Sequence, residues 1–534
     1  MAESCNLAHI RCSIHPDDGE QLMLLAQLNA KTLQTLNVRS SKQVDTAGLI
    51  VDANGGYMEY PCLQTLMLDF TGDRVYRSTR GQVTGQSFES VVLEGLAADG
   101  GLYIPEHIPS LPADWQSAWA KLTFSELATE LISLFVGDDV SRDELATLVT
   151  KSYSTFSTAE VTPLVDLDAA SNTHILELFH GPTFAFKDVA LQFLGNLFEF
   201  FLERRNQAAG ESSLHRITVV GATSGDTGSA AIYGLRGKKN VEVFILHPHG
   251  RVSPIQEAQM TTVLDANVHN VSIAGTFDDC QDIVKQLFGR PDFKREHSLG
   301  AINSINWARI LAQITYYFYA YFMLVRRGVQ NPRPVFVVPS GNFGDILAGY
   351  YARSLGLPVG RLAIATNAND ILDRFLRSGK YEKNSEEGVL ATPSPAMDIL
   401  VSSNFERFLW YLARDYEVAE GGASGSCEAQ AGETIHKWMD QLRSTGSFAV
   451  SDRALEGARQ VFWSGRCSDQ DTYGTIAKYY AKSPSYLLDP HTAVGVRVAE
   501  TLRADIERLD EGTVHTICLS TAHPAKFSEA VLKA

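Results

Sequence analysis

Five short apolar runs are the feature that most constrains the fold of this 534-residue chain. Each run is bounded by turn residues, as are strands buried on both faces of a parallel sheet. The runs cover residues 217–220, 241–246, 335–338, 362–365 and 516–519. Helical patterns separate them, for example from Asp278 to about Phe288 and from Trp307 to about Arg326. The sequence therefore predicts an α/β architecture with crossover connections.

Composition excludes several classes of function. The net charge of -16, from 46 Lys+Arg against 62 Asp+Glu, argues against nucleic acid or an anionic membrane as the main partner. No apolar run is long enough to span a bilayer. The seven cysteines form no Cys-x-x-Cys pair, which predicts free thiols in a reducing compartment. Because the N-terminus also lacks a secretory signal, we expect a cytoplasmic protein.

The pattern of apolar and polar residues along the chain predicts three segments. Residues 1–70 have mixed polarity and no clear period, and we assign this N-terminal extension no role. Helical patterns over 71–155 predict a small, mostly helical N-terminal domain. The alternation of strands and helices fills residues 156–534, which are predicted to form the main α/β domain.

Lys187 lies at the start of a predicted buried helix, after a turn at 181–183 and a predicted strand at 175–179. We expect Phe184 and Phe186 to desolvate its ammonium group, and the positive helix end to disfavour that charge. Both effects lower the pKa of a lysine, which suits Schiff-base chemistry. The alternative is an ordinary solvated lysine at a helix start.

Two glycine-rich loops follow predicted strands and precede predicted helices, at residues 221–228 and 339–345. At such a turn, free backbone amides and the helix dipole bind phosphate or carboxylate. Neither loop has dinucleotide or Walker spacing, and a plain strand-to-helix connection explains either one alone. Together with a desolvated lysine, they predict a phosphorylated carbonyl cofactor at one loop and an anionic amino-acid substrate at the other.

Thr521 follows the last apolar run, at the carboxyl end of a predicted buried strand. A hydroxyl at this position can bond a ring nitrogen without holding a proton on it, although a helix cap is the alternative. The chain has no Gly-x-Ser-x-Gly elbow. His247 and His249 lack further ligands at metal spacing, so no metal site is predicted.

Four motifs in order resemble the threonine synthase family, in its longer, fungal-type branch. They are 180–188 (HGPTFAFKD), 221–228 (GATSGDTG), 340–345 (SGNFGD) and 520–526 (STAHPAK). The resemblance runs from Tyr76 to Phe527 and includes 303–309 and 488–495. It implies a fold-type-II pyridoxal-phosphate (PLP) enzyme, similar to the tryptophan synthase β subunit, with two α/β lobes and a helical N-terminal domain. It also implies conversion of O-phospho-L-homoserine and water to L-threonine and phosphate, by γ-elimination and β-hydration.

The resemblance also implies roles for individual residues. Lys187 would form the Schiff base with PLP, and Thr521 would face the pyridine nitrogen. The cofactor phosphate would lie near Gly341, Asn342, Phe343 and Asp345. The substrate carboxylate would be received by Thr223, Ser224, Asp226 and Thr227. The substrate phosphate would be bound by Asn303, Arg309 and Lys526. The partner would be a small molecule, and the protein a monomer or homodimer.

Two other functions stay open at this point. One is a related PLP phospho-lyase, from which the product escapes as 2-oxobutyrate and ammonia. The other is an inactive, truncated paralogue acting as a binding or regulatory subunit, since the chain stops soon after the Thr521 motif, where relatives usually continue.

Overall fold

The computed structural model describes residues 74–210, 214–223, 225–300, 302–384, 388–418, 426–509 and 514–534, with the backbone of three earlier strands. The chain divides into two compact units, one of residues 1–74 and 136–140, the other of residues 75–135 and 141–534. The three early strands are β1 (His9–Ile14), β2 (Thr35–Ser40) and β3 (Thr65–Asp69). They form a parallel sheet in the order β1-β2-β3. The rest of the extension predicted over 1–70 lies outside the described residues.

The second unit contains two parallel sheets. The strands of the larger sheet are β6 (Leu164–Asp168), β7 (Thr173–Glu177), β12 (Val335–Pro339), β13 (Leu362–Thr366), β16 (Phe462–Arg466) and β17 (Thr516–Ser520). Their order is β16-β13-β12-β17-β7-β6, and only β6 runs antiparallel to its neighbour. The strands of the smaller sheet are β8 (Ile217–Ala222), β9 (Val241–Pro248), β10 (Val268–Ile273) and β11 (Leu299–Gly300), in the order β10-β9-β8-β11. Two short antiparallel pairs join β4 (Tyr76–Ser78) to β5 (Tyr103–Pro105) and β14 (Lys380–Glu382) to β15 (Ser447–Ala449).

Helices fill the intervals between these strands. In chain order they are α1 (Phe88–Glu94), α2 (Trp115–Ala118), α3 (Phe124–Val136), α4 (Arg142–Tyr153), α5 (Lys187–Ala209), α6 (Asp226–Leu235), α7 (Pro254–Thr261), α8 (Phe277–Phe288), α9 (Pro291–Glu296), α10 (Trp307–Arg326), α11 (Gly344–Leu355), α12 (Ile371–Ser378), α13 (Phe405–Leu412), α14 (Cys427–Thr445), α15 (Asp452–Val461), α16 (Asp469–Tyr480), α17 (Pro490–Thr501), α18 (Arg503–Glu507) and α19 (Ser528–Lys533). Among the described residues, no helix has the length and apolar content needed to cross a membrane.

The core of the larger sheet shows why its strands read as continuous apolar runs. Every residue of β12 is buried. Val335 and Val337 belong to a hydrophobic cluster with Val494 of α17, on one face of the sheet. Phe336 points to the other face, where its ring lies 4.8 Å from that of Tyr317 on α10. Because both faces are covered by helices, alternation between apolar and polar residues is lost.

The predicted α/β architecture is confirmed, and each of the five apolar runs forms a strand. Two boundaries differ from the prediction. Strand β7 covers Thr173–Glu177 instead of 175–179, because the backbone of Phe179 has already left the sheet. Helix α6 begins at Asp226, about one turn before the predicted start at Ser229. The division of the second unit at residue 155 stays a prediction.

Helix α13 carries polar contacts between the N-terminal helical segment and the α/β core. Arg80 Nη2 lies 3.1 Å from Glu406 Oε2, and Thr79 Oγ1 donates to Glu406 Oε1 at 2.6 Å. The next residue, Arg407, is fully buried and donates from Nε to the Tyr103 carbonyl at 2.8 Å. These contacts tie the β4–β5 pair to the start of α13.

Candidate active site

A cavity of about 1050 Å³ lies where loops from both parallel sheets meet. Its lining includes most of the residues that the sequence singled out: Lys187, Thr223, Asp226, Thr227, Asn303, Arg309, Gly341, Asn342, Phe343, Asp345 and Thr521. Lys526 lies directly behind this lining, in contact with Asp226. Ser224 lies outside the described residues. The structure thus brings together candidates that are up to 339 residues apart in sequence, taking Lys187 and Lys526 as the extremes (526 − 187 = 339).

Lys187 is placed by a turn locked from two sides. Within the turn, Thr183 donates to the Asp188 carboxylate from its backbone nitrogen, at 2.8 Å, and from its hydroxyl, at 2.7 Å. From outside, Phe186 N donates to the Thr521 carbonyl at 2.8 Å. Burial raises the pKa of Asp188 to about 6, against the hydrogen bonds from Thr183. The lysine thus starts α5 at a fixed position beside the end of β17.

The ammonium of Lys187 is surrounded by protein. Its Nζ lies 5.0 Å from the centre of the Phe186 ring and 3.4 Å from Asp226 Oδ2. Burial lowers the pKa of Lys187, Asp226 opposes this effect, and Lys526 and Arg309 add to it. Phe184 does not contribute as expected, because it is 47% exposed and its ring lies beside His523. Phe186 and the cavity wall, and not Phe184, therefore desolvate the Lys187 nitrogen.

The loop before α6 is organised by the Thr223 hydroxyl. Its oxygen accepts from the amides of Gly225, at 2.9 Å, and Gly228, at 2.8 Å. A Cβ at Gly228 would lie 2.4 Å from the Thr223 methyl carbon, so the loop closes only around glycine. This tight turn lets α6 begin early, with Asp226 and Thr227 in its first turn. Their backbone amides belong to the helix N-terminus, where anions are bound favourably.

The loop before α11 has its carbonyls occupied by the protein. Ser402 donates to the Gly341 carbonyl at 2.7 Å, and the Asn404 side chain donates to the Asn342 carbonyl at 3.0 Å. Within the described part of the chain, the amides of Gly341, Asn342 and Phe343 donate no hydrogen bond. Phe343 adopts a left-handed φ of 62°, and its buried ring packs against aromatic residues behind the loop. The three amides therefore remain for an anion at the N-terminus of α11.

Asp345, in the first turn of α11, is turned away from solvent. Its Oδ1 accepts from Tyr316 at 2.5 Å and from Tyr317 at 3.1 Å, both on α10. Its Oδ2 is buried and has no partner among the described residues. Burial raises the pKa of Asp345 to about 7, although the two tyrosine hydroxyls act in the opposite direction. The Asp345 side chain therefore joins α11 to α10, beside the loop amides of residues 341–343.

Arg309 provides a second place for an anion. It is buried on α10, and neither its Nε nor its Nη1 has a hydrogen-bond partner in the described part of the chain. Burial lowers the pKa of Arg309 to about 10. Gln313, one turn further along α10, also has a buried oxygen, Oε1, with no partner among the residues described. A buried guanidinium with unused donors at a cavity wall is a strong site for phosphate.

Sequence reasoning missed several residues of the site. Gln256 donates to Asp226 Oδ1 at 2.9 Å. His491 accepts from Ala396 N at 3.1 Å, while its Nδ1 lies 2.9 Å from Asp489. This pair holds the turn at 395–397 against Gly341. The 488–495 motif contained the signal for His491, but nothing in its spacing indicated a contact with another loop.

The residues present fit a phosphorylated carbonyl cofactor. The cavity combines a buried amine of lowered pKa, three unused loop amides and the Thr521 hydroxyl. A Cβ at Gly341 would lie 2.9 Å from the Ala396 carbonyl oxygen, so the loop can sit this close to the 395–397 turn only as glycine. Arg309 leaves room for a second anionic group in the same cavity. The arrangement suits bond making and breaking next to an amino group.

Comparison with known proteins identifies related sequences over most of the chain. Three family models match, described as Threonine synthase N terminus over 75–153, Pyridoxal-phosphate dependent enzyme over 156–449 and Threonine synthase, C-terminal over 492–534. Threonine synthase of Schizosaccharomyces pombe is 56% identical over 465 residues, covering 85% of this chain and 88% of the relative. Threonine synthase of Saccharomyces cerevisiae is also 56% identical, covering 86% of this chain and 88% of the relative.

Solved structures agree with these sequence relatives. The crystal structure of yeast threonine synthase superposes with a TM-score of 0.81 at 54% identity, covering 86% of this chain and 89% of that one. A PLP-bound threonine synthase from Brucella melitensis gives a TM-score of 0.77 at 43% identity, covering 86% of this chain and 90% of that one.

Proposed function

We propose a specific reaction for this chain, which belongs to the threonine synthase family of PLP-dependent enzymes: the conversion of O-phospho-L-homoserine and water to L-threonine and phosphate. The observation that carries this proposal is the presence of two separate places for an anion beside one buried lysine. One is the set of unused amides before α11, and the other is the guanidinium of Arg309, whose donors find no partner in the described part of the chain. One of these places would bind the cofactor phosphate, and the other would bind the substrate phosphate.

Five groups of this chain would hold the cofactor. Lys187 would bind its carbonyl carbon, and the amides of Gly341, Asn342 and Phe343 would bind its phosphate. The Thr521 hydroxyl lines the cavity and would bond the ring nitrogen as a neutral partner. When bound, PLP supplies an electron sink for the carbanions that form next to the substrate amino group.

The substrate would be held at its two charged ends. The amides at the start of α6 would bind the carboxylate, with the Thr223 loop setting their positions. The Asp226 carboxylate itself has the wrong sign for this task, so we assign only its backbone to substrate. Arg309 and Asn303 would bind the phosphate. Lys526 already donates to Asp226 and to the Thr183 carbonyl, at 2.8 Å each, so we assign it a different role below.

Lys187 would also move the protons. Burial lowers the pKa of the Lys187 amine and so favours its neutral form, which could accept the substrate α proton. The same amine would then take a β proton, so that the γ phosphate can leave, and would return protons to the carbon chain as water adds at the β carbon. The buried walls around Nζ exclude bulk water from these transfers, while one water molecule is consumed as reactant.

The proposed function includes a cellular compartment and a class of binding partner. Each cysteine with a described side chain is a free thiol, and Cys280, Cys467 and Cys518 are buried. Free buried thiols support a reducing compartment, and we propose the cytoplasm. The cavity is sized for small molecules, which supports an amino-acid substrate.

The test is a product assay on the purified protein with PLP and O-phospho-L-homoserine. We expect threonine and inorganic phosphate in equal amounts. Phosphate accompanied by 2-oxobutyrate would identify the phospho-lyase reaction instead, and absence of both products would favour an inactive paralogue. Lys187→Ala should lower the rate by at least about 100-fold, because the proton carrier is lost. Lys482→Ala, which removes a surface partner of Asp168, serves as the matched control.

A further inference from the structure

One buried carboxylate contacts two buried ammonium groups at the site. Asp226 Oδ2 lies 3.4 Å from Lys187 Nζ, and Asp226 Oδ1 lies 2.8 Å from Lys526 Nζ. The side chains of Asp226 and Lys187 are each 10% exposed, and that of Lys526 is 1% exposed. Charges this deeply buried are costly, so their arrangement strongly affects which of them is protonated.

Each member of this cluster is fixed by a different part of the fold. Lys526 comes from the turn after β17 and also donates to the Thr183 carbonyl at 2.8 Å. Asp226 begins α6, and Gln256 of α7 donates to it at 2.9 Å. The Gln256 side chain fills the space beside Gly225, where a Cβ would lie 2.3 Å from its oxygen. The cluster cannot rearrange without moving the elements that form the cavity.

The electrostatic consequence is a buried carboxylate that is held ionised next to the Lys187 nitrogen. Burial opposes ionisation of Asp226, but Lys526 and Lys187 together hold its pKa well below the usual range. Two further groups face the cluster, Arg309 from α10 and His491 from α17, and positive charge on either acts in the same direction as Lys526. Asp226 is the carboxylate that raises the pKa of Lys187, while the Asp188 carboxyl faces Lys526 from α5.

We propose that Asp226 and Lys526 form a positioning pair that sets the protonation state of the Lys187 nitrogen. Asp226 favours a proton on this nitrogen, against the burial that disfavours one, and Lys526 limits how strongly Asp226 does so. The pair acts both on the free amine and on the nitrogen once it is bonded to the cofactor. This inference rests on the proposed function only in requiring a Schiff base at Lys187.

The test is a pH titration of the visible absorption of the holoenzyme, because a PLP Schiff base absorbs at longer wavelength when its nitrogen is protonated. Asp226→Asn removes the anion and should lower the midpoint by about one pH unit or more. Lys526→Met removes the cation and should raise it. Lys526→Arg keeps the charge and is the matched control, with a midpoint near that of the wild type.

Opposite shifts of the midpoint in Asp226→Asn and Lys526→Met support the proposal. General damage to the structure would not lower the midpoint in one variant and raise it in the other. If the wild-type midpoint lies above the accessible range, Asp226→Asn should bring it into range. If Asp226→Asn retains no cofactor, Lys526→Met decides alone: an upward shift supports the proposal and an unchanged midpoint overturns it. If the Schiff base forms but its midpoint is unchanged in both variants, this inference alone is overturned. If the wild type forms no Schiff base, the proposed function is overturned as well.

Discussion

Gly341 shows how a single residue decides whether the cofactor loop can form. A Cβ at this position would lie 2.9 Å from the Ala396 carbonyl oxygen and 3.0 Å from the Met397 Cα. Both neighbours are backbone atoms, which cannot rotate away as a side chain would. The turn that they belong to is itself held by His491.

We therefore expect Gly341→Ala to push the loop out of place and weaken cofactor binding by about 10- to 100-fold, the equivalent of 1–3 kcal/mol of overpacking strain. Titration of the apoenzyme with PLP measures this. Gly474→Ala is the matched control, since a Cβ at Gly474 meets nothing within 4 Å and its helix gains propensity. Equal PLP affinity in both variants would contradict the steric argument.

At this scale, the sequence predicted residues that stand in compact motifs. Lys187 and the glycine loops could be placed because turn, strand and helix signals surround them within a few positions. Gln256 and the tyrosines of α10 could not, because a buried glutamine or tyrosine in a helix carries no sign of which distant group it bonds. Phe184 was placed wrongly as a desolvating residue, since its left-handed φ of 58° turns the side chain outward.

Helices α10 and α11 are coupled through one carboxyl group. Asp345 accepts from two tyrosines of α10, and its second oxygen has no partner in the described residues. A lone carboxylate in such a place is unfavourable, whereas the protonated acid is tolerated. The tyrosine hydrogen bonds favour the ionised carboxylate, but burial favours the neutral acid more strongly.

This coupling predicts a pH dependence of stability. Burial raises the pKa of Asp345 from 3.8 to about 7. A raised pKa means that the contribution to stability is complete below the unfolded value and is lost as pH rises through about 7. Asp345→Asn cannot ionise, so we expect its stability relative to wild type to increase between pH 4 and 7, by at most about 4 kcal/mol, and then to level off.

Urea unfolding at a series of pH values measures this difference. Tyr316→Phe and Tyr317→Phe remove donors to Asp345 and should enlarge the loss of stability and extend it to higher pH, because the hydroxyls favour the ionised form. A stability difference that is constant across pH would show that Asp345 does not titrate in this range.

Among elements, the strands buried on both faces were predicted best, because a short continuous apolar run between turn residues is typical of such a strand. Strands β14 to β16 were not predicted. Strands β14 and β15 have three residues each, and β16 contains Ser464, Gly465 and Arg466, which interrupt its apolar run. The start of α6 was set by hydrogen bonds to Thr223, which a helical period does not encode.

On the scale of the whole molecule, the N-terminal helical segment depends on Arg407. Its guanidinium donates to the Tyr103 carbonyl at 2.8 Å, to Asn404 at 2.5 Å and to the Ile305 carbonyl at 2.6 Å. Ile305 leads into α10 and the Arg309 site. One buried side chain thus connects β5, α13 and the cavity wall.

Arg407→Met should destabilise the protein by about 3 kcal/mol or more, because buried acceptors lose their donor. We expect a lower urea midpoint and faster proteolysis between β5 and α2. Arg503→Met is a suitable control, since Arg503 is half exposed and pairs with Glu507 one turn away on the same helix, and its effect should stay within about 0.5 kcal/mol. Equal effects of the two changes would contradict a structural role for Arg407.

The sequence could not predict the strand order. Strand β17 lies between β12 and β7 in the sheet. In the sequence, however, β17 begins 339 residues after the end of β7. Nothing in the apolar composition of β17 indicates which two strands it separates, because all three have similar runs. The motif that follows β17 connects it to the β7 region, because its Thr521 lies beside the turn that carries Lys187.

The late position of β17 has a consequence for biosynthesis. A ribosome adding about 5–20 residues per second needs roughly 20–70 s to go from β7 to β17. During this interval β7 lacks its neighbour on that side, and β12 lacks it from residue 339 onward. Their unpaired edges can bind other strands. The newly made chain therefore exposes a strand edge for roughly 20–70 s, and slower translation would lengthen its exposure to aggregation.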